Sequence, residues 1–255
     1  MRYCLAAVAA LAIQTSAANA DIVALTGDST LATIDKSGKV TGTSKIQGIG
    51  AVLGIDVRPS DGQLYALASD GSVATIDAKT GKATVKSKLD MMPPAGVKVT
   101  VDFNPVADRL RIIGSDGANL RANVDDGKVT KDGTLKFAET DAAKGKTPMI
   151  VAGGYTNSMK GAKETALYDI DGAIGGLFRQ APPNDGILNT VGALGLDAKS
   201  VSFDIMTDGA GANTVMLVSG KKLYTVDLAS GKTTGDKDIA GLSGQVSDIA
   251  VLPAM

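Results

Sequence analysis

The chain has 255 residues with 26 basic and 27 acidic side chains, 31 glycines, one cysteine and no histidine. A charge so close to neutral, with no basic cluster, gives nucleic acid no surface to be drawn to. Without imidazole, and with its one thiol at Cys4 near the start, the chain cannot build a Ser-His-Asp triad, a His/Cys zinc or copper centre, or a haem site held by His or Cys.

Residues 1–20 read as a leader. Arg2 supplies a positive charge, residues 5–13 an unbroken apolar run, and Ala18-Asn19-Ala20 a small-residue cleavage signature. The run is shorter than the roughly 20 apolar residues a membrane-crossing helix needs. Cleavage after Ala20 is therefore expected, with a mature chain starting at Asp21, formally −2 once Arg2 is gone. A periplasmic or secreted protein with no membrane span follows. Cys4 precedes the apolar run instead of sitting at the cleavage point, so no lipid anchor is expected.

Beyond residue 21, apolar residues come in short alternating stretches broken by Gly, Asp, Asn and Lys, the pattern of short strands joined by tight turns. Strands are expected over 22–26, 30–34 and 40–44. The turn into the third reads Ile34-Asp35-Lys36-Ser37-Gly38-Lys39, and this module recurs. It returns as Ile76-Asp77 with Gly81-Lys82, as Asn123-Val124-Asp125-Asp126-Gly127-Lys128, in a divergent form as Leu167-Tyr168-Asp169-Ile170-Asp171-Gly172, and as Val226-Asp227 with Gly231-Lys232. Asp can hydrogen-bond the turn backbone, and Gly takes the positive φ of a tight reversal. The Asp residues at 35, 77, 125, 171 and 227 are separated by 42, 48, 46 and 56 residues, close to a propeller blade of about 40 to 50.

A second motif precedes most copies: Gly54-Ile55-Asp56-Val57-Arg58-Pro59, Val101-Asp102-Phe103-Asn104-Pro105, Ser202-Phe203-Asp204-Ile205 and Ser247-Asp248-Ile249-Ala250, with a weaker form at Val151 to Tyr155. Each is a short strand, and Pro59 and Pro105 end theirs by withholding a ladder N–H. With a further strand between the motifs (63–68, 109–113), one blade has four strands. The start of the chain lacks a first strand, and 246–252 supplies one. The expected fold is all-β: a five-bladed β-propeller with N- and C-terminal strands sharing one blade, over 21–255. The alternative is an open β-sandwich or β-solenoid.

The stretch Phe103 to Arg111, the run Asn119-Leu120-Arg121-Ala122-Asn123, Tyr155-Thr156-Asn157, Leu167 to Asp171, and Pro182-Pro183-Asn184-Asp185-Gly186 with Leu188 to Gly192 resemble a family of exported bacterial proteins known only as domain of unknown function number forty-three ninety-four. The resemblance spans about 27–253. It implies a propeller-like fold and transfers no catalytic residue.

Three constellations carry possible chemistry. Asp56, Asp102, Asp204 and Asp248 stand at matching places in four inner strands. As a ring of carboxylates they would suit a hard cation such as calcium; otherwise each accepts backbone N–H groups from the neighbouring blade, repeated because the blade repeats. Asn104, Asp108, Arg109, Arg111, Asn119, Arg121 and Asn123 form a second group, holding three of the six arginines. Here Asn104, Arg109, Arg111 and Arg121, with Asn184, could grip an anionic ligand, or form a salt-bridged inter-blade seam with Asp102 and Asp108. Third, a long loop is expected over 178–195, with Arg179, Pro182, Pro183, Asn184, Asp185 and Asn189, interrupting the repeat. The expected function is an exported binding or interaction module whose partner is a small ligand or an envelope protein. The alternatives are a calcium-dependent propeller hydrolase or lactonase working through carboxylates, and a structural envelope component.

Overall fold

The computed structural model describes residues 21–252; the expected leader lies outside the described residues. Blade one begins with β1 (Ile22–Thr26), β2 (Thr30–Ile34) and β3 (Val40–Lys45). Blade two is β4 (Val52–Val57), β5 (Leu64–Ala68), β6 (Ser72–Ile76) and β7 (Ala83–Lys88), and blade three is β8 (Val99–Asn104), β9 (Arg109–Gly114), β10 (Asn119–Ala122) and β11 (Val129–Lys131). Blade four holds β12 (Lys136–Phe137), β13 (Ile150–Tyr155), β14 (Leu167–Asp171), β15 (Gly176–Gln180) and β16 (Ile187–Ala193). Blade five is β17 (Val201–Thr207), β18 (Asn213–Ser219), β19 (Lys222–Val226) and β20 (Thr233–Asp238), and β21 (Val246–Val251) follows.

β21 returns to blade one. It lies antiparallel beside β1, with Ile22 opposite Val251 and Ala24 opposite Ile249, giving the sheet order β21-β1-β2-β3. The protein is thus a five-bladed all-β propeller closed by both ends of the chain. Among the described residues no helix is long and apolar enough to cross a membrane.

Alternation along each strand sends apolar side chains to both faces of a blade, because each face meets a neighbour. The result is five apolar clusters, one in each seam between blades. In the seam between blades two and three, the rings of Tyr65 and Phe103 meet edge-on at 5.3 Å.

The recurrent Asp-turn-Gly-Lys module works as its chemistry dictates. Asp77 Oδ1 accepts the N–H groups of Lys79 and Thr80, and Asp35 Oδ1 those of Ser37 and Lys39. Gly81 adds a second requirement. Its φ is +73°, and a Cβ there would lie 2.1 Å from the Lys45 carbonyl oxygen at the end of the previous blade's outer strand. That approach lets Gln47 N–H donate to the Gly81 carbonyl and Ala83 N–H to that of Gln47, stitching the rims of blades one and two. Gly127 meets Lys88 of blade two in the same way.

Two expectations need correction in blade four. The segment Leu167 to Gly172 is not a copy of the module: β14 is the second strand of its sheet, whereas the true copies end third strands. Nor is 178–195 a loop. β15 and β16 form a hairpin through it, around a single 3-10 turn at Pro183–Asp185. The inserted residues lie earlier, in the connection between β11 and β13, where β12 pairs parallel with β16 and covers the outer edge of the sheet. The other outer strands protect their edges with Lys, Thr and Asp, side chains that discourage pairing with another chain.

Candidate functional site

Each axial carboxyl reaches from its own inner strand to the next. Asp56 Oδ2 accepts Phe103 N–H at 2.6 Å, Asp102 Oδ1 accepts Tyr155 N–H at 3.0 Å, Asp204 Oδ2 accepts Val251 N–H at 2.7 Å and Asp248 Oδ2 accepts Ile55 N–H at 2.9 Å. In three of them the other oxygen is used locally: Asp56 Oδ1 takes Val57 N–H, Asp204 Oδ1 takes Ile205 N–H and Asp248 Oδ1 takes Ile249 N–H. The bonds also fix the register. Phe103 and Tyr155 each follow the residue at the level of Asp102, so Gly154 fills that level in blade four. Val251 likewise puts Ala250 there in blade one, and Ile55 puts Asp248 level with Gly54. Three of the four aspartates share a level, therefore, and Asp248 sits two residues away along the axis. Oxygens of Asp56, Asp102 and Asp204 lie within 4.8 Å of one another, and all three residues are buried.

Burial pushes these groups up. Desolvation raises Asp248 to about 8 and Asp204 to about 6. It raises Asp56 and Asp102 well above the usual carboxylate range, with the neighbouring carboxyls, Asp204 and Asp56 respectively, adding to it. Three carboxyls this close and out of water resist being ionised together, so without a cation they hold protons more tightly than an ordinary carboxylate. With a hard cation of the calcium type the same oxygens would be ligands.

The arginine group divides. Arg111 is fully buried between blades three and four: its Nη1 donates to Asp132 at 2.6 Å and to Asn119 at 2.8 Å, its Nε to the Tyr155 hydroxyl at 3.1 Å, and its Nη2 to Asn184 Oδ1 at 2.9 Å. Arg121 grips the same Asp132 with two bonds. This is an inter-blade seam, but its acid is Asp132 and not Asp102 or Asp108. Asp108 belongs to another seam, where Arg58 binds it at 2.7 Å and Asp125 at 2.8 Å. Asn104 Oδ1 caps its own turn by accepting the N–H groups of Val106 and Ala107. Arg109, partly buried, donates to the carbonyls of Ala107 and Asp108. Of the five residues expected to grip a ligand, Arg111, Arg121 and Asn184 thus come together in one network around Asp132, whereas Asn104 and Arg109 bond within their own turn.

Two features lie outside the expected site residues. Asp169 is fully buried with no hydrogen-bond partner on either oxygen, raised to about 8 by desolvation, and its carboxyl occupies space that a Cβ on Gly153 would fill. The second is a depression of 460 Å³ where the inner strands begin. Val52 and Leu53 of blade two, Val97 and Lys98 of blade three, Ser200 of blade five and Val246 of blade one line it. Lys98 crosses the axis, and its Nζ comes 3.5 Å from the Val201 carbonyl of blade five. A single lysine before a valine strand carries no sequence signal; only ring closure puts it at the mouth.

Among solved structures, the chain is similar to a protein of unknown function from Bacteroides caccae, at 12% identity over 92% of this chain and 99% of that one, with a TM-score of 0.43. It is also similar to a luciferin-regenerating enzyme, at 12% identity over 87% and 72% of the two chains and a TM-score of 0.47. A third is the WD40 domain of a Toxoplasma gondii coronin, at 15% identity over 89% and 58%, with a TM-score of 0.47. No curated protein matches the sequence. A family model described as "Domain of unknown function (DUF4394)" matches residues 30–250. Spanning nearly the whole ring, that match makes the chain a member of the DUF4394 family.

Proposed function

We propose that this protein is an exported, non-catalytic binding module that receives a small ligand in the depression at the channel mouth. One observation carries this: the axial carboxyls are buried and already bound to the amides of neighbouring blades, while the mouth beside them is open, partly apolar and crossed by an ammonium group. Hydrolysis through carboxylates needs a carboxyl that water and substrate can reach, and burial weighs against the axial ones. The leader of residues 1–20 supports export to the periplasm or beyond. Amide chemical shifts of labelled protein, followed against a library of small molecules, test this. Perturbations should gather around Val52, Lys98, Ser200 and Val246; shifts centred on Asp56 and Asp102, or none anywhere, would defeat it.

A second reading is favoured by the three oxygens within 4.8 Å of one another, a spacing suited to calcium. Melting under rising calcium separates a cation from shared protons. A saturable increase that Asp102→Asn abolishes supports the cation, and an unmoved transition at millimolar calcium supports the protons.

A further inference from the structure

We propose that the ligand of the mouth is a monoanionic amphiphile, a small carboxylate with a short apolar body, whose head sits on Lys98 Nζ. This rests on the mouth as the ligand-receiving surface and adds the chemistry it selects.

Three of the other enclosed cations are paired: Arg58 is held by Asp108 and Asp125, and Arg111 and Arg121 by Asp132; Arg109 rests on two backbone carbonyls. Lys98, also partly buried, has no ion-pair partner among the described residues, and its one bond, to the Val201 carbonyl, is at 3.5 Å. An ammonium has three donors and is strongly hydrated, so holding it half out of water without an anion is costly. Asp248 acts on it through space without reaching bonding distance, partly offsetting the desolvation that lowers the ammonium's pKa.

Beside the ammonium, Val52, Leu53, Val97, Val99 and Val246 give an apolar lining on which a short hydrocarbon can lie, and the polar side chains of Ser200, Gln245, Ser247 and the exposed Lys199 complete the mouth. Two residues along β17 from the mouth residue Ser200, Ser202 has a buried hydroxyl without a partner. One enclosed positive charge calls for one negative charge. The volume of 460 Å³ falls within the range of about 300–1,000 Å³ typical of small-molecule sites.

Octanoate, octanamide and inorganic phosphate serve as probes, with calorimetry for affinity and amide shifts for location. Octanoate should bind saturably and shift mouth resonances, with octanamide and phosphate each weaker by about tenfold or more. Lys98→Met should weaken octanoate by a similar factor while the far-ultraviolet spectrum and melting temperature stay close to wild type; Lys98→Gln provides the check if the methionine variant folds poorly. Equal binding of octanoate and octanamide at the mouth, or octanoate binding that ignores Lys98, overturns the anionic assignment and leaves the mouth as a site. If neither probe binds but a library compound of other chemistry shifts the mouth, the assignment again falls alone. If nothing shifts it, both fall.

Discussion

Asp102 shows how much one side chain contributes at the axis. Its carboxyl satisfies the buried Tyr155 N–H from another blade, so Asp102→Ala should cost about 1–3 kcal/mol in urea unfolding by leaving that donor unpaired. Asp102→Asn keeps an acceptor and removes one ionisable group from the cluster; it should match or exceed wild-type stability at pH 8. The sign follows from the raised pKa values. These carboxyls hold protons more tightly folded than unfolded, so their contribution is complete below about pH 4, the unfolded value. It is lost as pH climbs through about 6 for Asp204 and about 8 for Asp248 and Asp169. Turn residues Asp35, Asp77 and Asp227 are lowered by hydrogen bonds from their turns, and act oppositely, losing their contribution only as pH falls below the ordinary range. Melting temperature should therefore be highest at about pH 4–6 and decline toward pH 8, with a smaller decline in Asp102→Asn. The arginines give a sharp contrast. Arg111→Ala leaves the buried carboxylate of Asp132 to Arg121 alone and takes the donor from Asn119, Asn184 and Tyr155, and should cost about 3 kcal/mol, whereas Arg109→Ala, losing only bonds to two carbonyls of its own turn, should fall within about 1 kcal/mol of wild type; similar losses in equilibrium unfolding would refute the division between them.

At the level of the strand and turn, Gly81→Ala should cost about 2–3 kcal/mol, since it forces a side chain into φ +73° and against the Lys45 carbonyl. Gly62→Ala, with positive φ but open space around it, should cost about 1 kcal/mol, and chemical denaturation measures the difference. Such elements were legible in the sequence because alternation and the Asp-to-Gly turn are local. Blade four was misread for a related reason. Leu167 to Gly172 has the module's residue types, and Asp171 caps its turn by accepting Ala173 and Ile174 N–H, but any strand-ending turn rewards that chemistry, whichever strand of the blade it follows. The hairpin over 178–195 was hidden because Pro182 and Pro183 mark a break without saying that strands flank it on both sides. The axial aspartates were legible as a repeat. Their levels were not, because the two-residue offset of Asp248 depends on how β21 docks beside β4. Lys98 and Asp169 acquire meaning only from what surrounds them after folding.

The whole molecule is a ring in which four of the five junctions between neighbouring inner strands are tied by hydrogen bonds from side chain to backbone, the junction of β13 with β17, where Gly154 stands, being without one among the described residues, and the seams are filled by apolar packing. Blade one is completed only by β21, so removing residues 246–252 should open the ring. That variant should lose cooperative unfolding or associate through the exposed edge of β1, visible by calorimetry and size-exclusion chromatography. The axial carboxyls latch this ring at its centre. Native-state hydrogen exchange of the Ile55, Phe103, Tyr155 and Val251 amides tests this most directly. If the axial carboxyls are latches, these four should exchange only through global unfolding, with free energies equal to that of the whole protein. Exchange through local opening, at free energies several kcal/mol lower, would show an axis that opens to solvent, and would contradict the account.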